Sequence, residues 1–364
     1  MRRRQVAIWV SATVVVGLGV HVAYPAVAGL RRSIDLLAHA ELGWIAAAFG
    51  FSVLSLGCYV AVFRCVIGAD APGGRLGWRE SYQVAMASQA ASTLVTAAGA
   101  GGVAVMLWAL VRAGFDRGSA AARIVAFLAF HYTIYLAALV VVGVLLGSGL
   151  LGPAPLALTL LPAAVSAAVM GGLVLMALSP GRFERRLAEL SHRDGIRFTL
   201  ARRLTIVPAT LSVGLRYAAG LLRPWRRGVS IIALAVCYWA TNIAILAACF
   251  HAFGESPTMA RLTQAFFIGM TINLLPLLPG GVGSVEAGLI GALLAFGEPG
   301  AEVVVSVLAY RLIGFWLPTI PEAIAYLQLK RTVDDWSEEP GRSSRRSSLG
   351  ATRTERGRRK VTRA

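Results

Sequence analysis

Residues 274–288 read LLPLLPGGVGSVEAG. Two prolines, four glycines and a glutamate stand together inside a segment that is otherwise apolar from about 262 to 297. Proline removes a helix donor and clashes with the carbonyl four residues back, so a helix arriving at Pro276 and Pro279 must break. Gly280, Gly281 and Gly283 let the chain turn. Irregular backbone at membrane depth survives only where protein or a water-filled cavity surrounds it. A carboxylate there, Glu286, marks a pathway or a partner. The stretch predicts the tip of a re-entrant hairpin. The helix restarting after Gly283 turns its N-terminus, an anion-binding end, toward the bilayer centre. Ser284 is the expected cap, with Glu286 in the first turn. Gly283, Ala287, Gly291 and Ala295 form a ridge of small residues, which predicts close helix packing on that face.

The rest of the chain supplies the membrane. Of 364 residues, 57% are hydrophobic and 15% charged, with mean hydropathy +0.67. Soluble domains carry about a quarter charged residues. Apolar segments at about 6–28, 43–67, 83–111, 124–150, 156–178, 228–250, 262–297 and 303–327 predict an all-α polytopic membrane protein. The basic start and apolar run also fit a cleaved signal peptide, but the run continues to about Val27, which suits a retained first span.

Arginine placement sets the topology. The net charge is +17, and the loops at 64–80, 112–123 and 179–227 are arginine-rich, the last with eleven. Positive loops stay in the cytoplasm; they are topology signals rather than a nucleic-acid surface. If every segment crossed once, the eleven-arginine loop would face outward. It faces inward if 83–111 enters and returns, breaking at Thr96 to Gly102. At 1.5 Å per residue that segment is about 44 Å long, too short for two crossings of a roughly 30 Å core. The prediction is six full spans and two re-entrant hairpins, one from each side, with both termini cytoplasmic. Leu128-Ala-Phe-His131 and Leu308-Ala-Tyr-Arg311 follow the two hairpins 180 residues apart. The halves, about 83–178 and 228–327, therefore read as an inverted repeat, a transporter architecture. Residues 179–227 contain an amphipathic helix with a stripe that includes Leu211, Leu215, Ala218 and Leu222, lying on anionic lipid or on the bundle. Domain 1–330 is followed by a basic, disordered tail, 331–364.

Two side chains stand out beside Glu286. Arg311 lies in the last span, with Glu322 eleven residues further on the same face. Arg311 either pairs with Glu286 or meets a lipid phosphate through its planar fork. His131, read as its repeat counterpart, is a weaker phosphate contact or a hydrogen-bonded core residue. Candidate substrate-binding residues are Glu286, Arg311, Pro279, Gly280, Gly281, Gly283, Ser284 and His131, with Gly101 and Gly102 from the first break. Cys58, Cys65, Cys237 and Cys249 form no CxxC pair, so no metal is expected. There is no P-loop and no nucleophile elbow, so ATP-driven transport, cofactors and enzymatic chemistry are not expected.

Pro276-Leu-Leu-Pro279-Gly-Gly-Val-Gly283-Ser-Val-Glu286-Ala, with Leu308-Ala-Tyr310-Arg311-Leu and Trp316-Leu-Pro318, resembles the signature of the lysylphosphatidylglycerol synthase transmembrane-region family, also called flippase-like or UPF0104. Gly99-Ala-Gly-Gly102 with Leu110-Val-Arg-Ala-Gly114 resembles its first-half motif, with Ala97 and Ala98 in place of a proline. The likeness spans most of 6–330. It implies a lipid-translocating module of the cell membrane, without the aminoacyl-transferase domain of the bifunctional enzymes. The implied partner is an anionic or polyprenyl-linked membrane lipid. Two other readings stay open: a non-transporting partner of a separate lipid-modifying enzyme, and an ion-coupled small-solute transporter.

Overall fold

The computed structural model describes residues 40–68, 71, 75–94, 99–178, 198–272 and 281–336, with backbone alone at 94 and 198–209. Among these residues the regular structure is helical throughout: α1 (Leu42–Val66), α2 (Trp78–Leu94), α3 (Ala100–Arg112), α4 (Arg117–Gly147), α5 (Leu156–Leu178), α6 (Phe198–Leu222), α7 (Trp225–Ala252), α8 (Met259–Ile272), α9 (Ser284–Ala295) and α10 (Gly300–Trp336). Five of them, α1, α4, α5, α7 and α10, are long and apolar enough to cross a membrane. The expected span at 6–28 lies outside the described residues, as do Ala97, Ala98, Pro276, Pro279 and Gly280.

One order occurs twice: long helix, two short helices, long helix, in α1–α4 and again in α7–α10. Helices α2 and α3 are about 25 and 20 Å long, and α8 and α9 about 21 and 18 Å, so none crosses a roughly 30 Å core. The local devices match as well. Gly99 (φ 80°) precedes α3 and Gly283 (φ 81°) precedes α9. Phe115 N–H donates to the Leu110 carbonyl and Gly114 N–H to Val111, both at 3.1 Å. Glu298 N–H donates to Leu293 (3.2 Å) and Gly297 N–H to Leu294 (2.9 Å). Both helices thus end in a Schellman closure, with Gly114 and Gly297 in the left-handed region that a side chain disfavours.

The second copy is upside down relative to the first. Helices α1 and α7 run antiparallel. Glu41 N–H donates to the Ala252 carbonyl (2.9 Å) at one end, and Arg227 Nη2 to the Cys65 carbonyl (2.9 Å) at the other. Midway, Asn242 Nδ2 donates to Ser55 Oγ (2.6 Å). The first hairpin, α2–α3, opens at the Cys65 end, where Arg123 Nη1 donates to Tyr217 Oη (2.6 Å) and Thr332 Oγ1 to Gln83 Oε1 (2.9 Å). The second, α8–α9, opens at the Ala252 end, where Arg261 pairs with Glu298 (3.6 Å) and reaches the Pro153 carbonyl (3.3 Å). Arginines 64, 75, 79, 112, 117, 123, 223, 226 and 227 gather at the first end; glutamates 41, 255 and 298 lie at the second.

Each hairpin has its own apolar core. Phe63, Phe127, Met86, Leu110 and Leu329 pack around the first. Phe250, Phe266, Phe267, Leu289 and Leu293 pack around the second. Helix α5 is outermost: it buries Thr159, Ala163 and Ser166 and exposes Leu161, Val165 and Leu175, the band of a lipid-facing helix.

Three sequence expectations are corrected. The close approach in the second hairpin uses Gly269 against Gly288, where a Cβ on Gly288 would stand 3.2 Å from Gly269 Cα. Gly291, on the expected ridge, is exposed with open space around it, because the apolar face of α9 that packs inward is Val285, Leu289, Ala292 and Leu293. In α6 the burial falls on Ser212, Ala218 and Leu221, while Leu222 is exposed; Gly214 lets the helix press on Ala122 and Val125 of α4. Last, α10 continues past the expected domain end at 330, because Val333 and Trp336 still have the first core to bury against.

Candidate functional site: a polar cavity between the hairpins

The two cores leave a cavity of about 360 Å³ between the hairpins. Helix α2 contributes Ser88, Gln89, Ser92 and Thr93; α3 contributes Gly102; Gly281 and Met270 come from the second hairpin. Polar residues in α2 are tolerated because their hydroxyls bond back to their own helix. Ser88 Oγ donates to the Ala85 carbonyl (2.7 Å), Ser92 Oγ to Ser88 (2.9 Å) and Thr93 Oγ1 to Gln89 (3.1 Å). Tyr59 Oη donates to Gln89 Oε1 (3.1 Å). Gly102 is needed here, since a Cβ would stand 2.6 Å from the Ser88 carbonyl.

At the tip of the second hairpin, Glu286 serves two partners. Its Oε2 accepts the Gly283 N–H (2.7 Å), and its Oε1 accepts Arg311 Nε (2.6 Å). Ser284 is not the cap. It is the first helical residue, and its Oγ donates back to the Gly281 carbonyl (3.1 Å). A glycine at positive φ occupies the cap position, so a side chain from the first turn has to supply the acceptor. Arg311 is buried, its guanidinium carbon 3.9 Å from the Phe315 ring centroid. Directly after it, α10 widens into a π-helical turn, Leu312–Trp316. Pro318 lacks the N–H that would bond the Gly314 carbonyl, and its ring would clash there. The turn relieves this, and Ser52 Oγ donates to the Ile313 carbonyl (3.0 Å). Gly314, Phe315, Pro318 and Glu322 line the cavity as a result. Single π turns inside helices often lie at functional sites.

The repeat register differs from the one the sequence suggested. The N-caps of α4 and α10, Asp116 and Pro299, stand 183 residues apart, and those of α3 and α9, Gly99 and Gly283, 184 apart. Arg311 therefore corresponds to Leu128, and Glu286 to Gly102; His131 corresponds to Gly314. The first half has no copy of the ion pair. His131 nevertheless lines the cavity, 7% exposed, between the rings of Tyr238 (4.4 Å between centroids) and Tyr59 (5.1 Å). Of its two sequence readings, the hydrogen-bonded core histidine does not hold: among the described residues neither ring nitrogen has a partner. Gly101 does not line the cavity. The residues that sequence reasoning missed are Tyr59, Tyr238, Gln89 and the α2 hydroxyls. The signal for Gln89 and the hydroxyls was the cluster Ser88, Gln89, Ser92 and Thr93 inside an apolar chain; the two tyrosines carried none.

A family described as Lysylphosphatidylglycerol synthase TM region matches residues 10–321, a span that holds both hairpins, the ion pair and the π turn. The chain belongs to this family. Within it, two UPF0104 membrane proteins of Methanothermobacter thermautotrophicus are similar to this chain, one 30% identical over 117 residues and one 33% identical over 87. The aligned stretches cover 31% and 24% of this chain, and 35% and 25% of the two relatives. The chain thus aligns with about a third or less of the curated relatives that it matches. As a member of the lysylphosphatidylglycerol synthase TM region family, it is a multi-pass membrane protein.

Proposed function

We propose that this chain translocates the headgroup of a phospholipid, glycolipid or polyprenyl-phosphate-linked lipid across the cell membrane. The headgroup passes through the cavity while the acyl chains stay in the bilayer. One observation carries the reading. Hairpins entering from opposite ends meet at a polar cavity, and an ion pair of buried Arg311 with partly buried Glu286 holds the tip of one of them. Paired short helices from opposite sides, meeting at mid-depth, suit alternating access by rocking one half against the other. By the positive-inside rule the arginine-rich end is cytoplasmic, as are both termini.

The ion pair supplies a latch. An arriving lipid phosphate competes with Glu286 for Arg311, since a guanidinium bonds either anion through the same fork. Losing Arg311, Glu286 keeps the Gly283 N–H, so the tip stays folded while it is freed from α10. The reading is tested by mass spectrometry of lipid retained on the purified protein. The expected result is a phosphate-bearing lipid held by the wild type and lost from Arg311→Ala. Equal retention by both would sink it.

A further inference from the structure

Resting on that reading, we propose that Glu322 and His131 form a proton-binding site in the same cavity. It is separate from the Glu286–Arg311 pair, and its proton is exchanged as each anionic headgroup passes.

Glu322 and His131 are each 7% exposed, and both face the cavity. Glu322 sits eleven residues beyond Arg311, about 16 Å along the axis of α10. Arg311 is already held by Glu286 and stacked on Phe315. Neither nitrogen of His131 has a partner among the described residues. The rings of Tyr59 and Tyr238 touch His131 and line the same cavity as Glu322. The other titratable or charged groups around the cavity are Tyr132 from α4, Tyr310 and Arg311 from α10, and Glu286 behind Arg311. Helices α2 and α3 present hydroxyls, an amide and apolar groups there.

Charge balance gives this arrangement a task. Buried charge is costly unless it is paired. With the cavity closed, Glu286 and Arg311 cancel, and Glu322 is most cheaply neutral. A phosphate that takes Arg311 leaves Glu286 as a second anion near one cation. Uptake of one proton by His131, with Glu322 still protonated, restores neutrality. When the phosphate leaves, the proton returns to cavity water. A neutral imidazole has one donor and one acceptor nitrogen, so His131 can take a proton on one side while releasing one on the other. Proton relays through buried carboxyls and histidines are a regular use of intramembrane ionisable groups.

The proton site is read without transport, by infrared spectroscopy of the full chain in lipid across a pH series. The expected result is a protonated-carboxyl band that titrates, persists in Glu286→Gln and is lost in Glu322→Gln. Glu322→Asp, which keeps the carboxyl, is expected to retain the band at a shifted midpoint. A band unchanged in Glu322→Gln overturns the site. Coupling is read in proteoliposomes carrying a fluorescent anionic phospholipid, with and without an imposed pH gradient. Wild-type translocation is expected to respond to the gradient, and His131→Asn to lose the response. Equal rates with and without the gradient in the wild type overturn the coupling and leave the lipid reading standing. A titrating band with no translocation overturns the lipid reading and leaves the proton site standing.

Discussion

Glu286 is the residue on which the second hairpin depends. One carboxylate oxygen closes the backbone at Gly283, and the other holds Arg311. Removing one partner of a buried pair leaves the other charge uncompensated, typically at about 3–5 kcal/mol. Glu286→Ala is therefore expected to destabilise the protein by about that much, read by unfolding in mixed micelles, and more than Ser284→Ala, whose hydroxyl serves one carbonyl. Arg311→Lys is expected not to restore lipid retention, because an ammonium lacks the planar fork and the stack on Phe315; full retention would contradict that assignment. Both charged residues were legible in the sequence, because a charge in an apolar run has few bland explanations. Their geometry was not. Ser284 lost the cap to a glycine whose positive φ no residue-by-residue reading reveals. His131 was placed opposite Arg311 because LAFH resembles LAYR, yet the helix starts shift the register by three.

At the scale of elements, glycines decide how closely the hairpin helices pack. A Cβ at Gly102 would meet the Ser88 carbonyl at 2.6 Å, and at Gly288 would meet Gly269 Cα at 3.2 Å; at Gly291 it would meet nothing within 4 Å. Overpacking costs about 1–3 kcal/mol. Gly102→Val and Gly288→Val are each expected to lower stability by that amount, and Gly291→Val to stay within about 0.5 kcal/mol of wild type. A thermal shift of Gly291→Val as large as that of Gly288→Val would contradict the packing face described for α9. The existence of both hairpins was legible, since proline and glycine stop helices wherever they stand. The face each helix presents was not. In a membrane chain both faces are apolar, so hydrophobic periodicity carries little information about which side packs.

For the whole molecule, inversion was readable from arginine placement alone, because the eleven-arginine loop forces the first hairpin to return. The structure places Gly118 and Pro299 at opposite ends. Single cysteines there are expected to react with a membrane-impermeant maleimide from opposite sides, Gly118→Cys from the cytoplasm and Pro299→Cys from outside. The cavity itself was less legible. It draws on α1, α2, α4, α7 and α10 at once, and residues such as Ser55, Tyr59 and Tyr238 look like ordinary packing until the helices are assembled. The central claim is that a lipid headgroup moves past Arg311. The most direct measurement is the rate at which a fluorescent phospholipid crosses proteoliposome bilayers holding wild type or Arg311→Ala, each shown to be folded by size exclusion and helicity. The wild type is expected to accelerate crossing well above empty liposomes, and the variant to fall to their level. Wild-type rates in folded Arg311→Ala would contradict it.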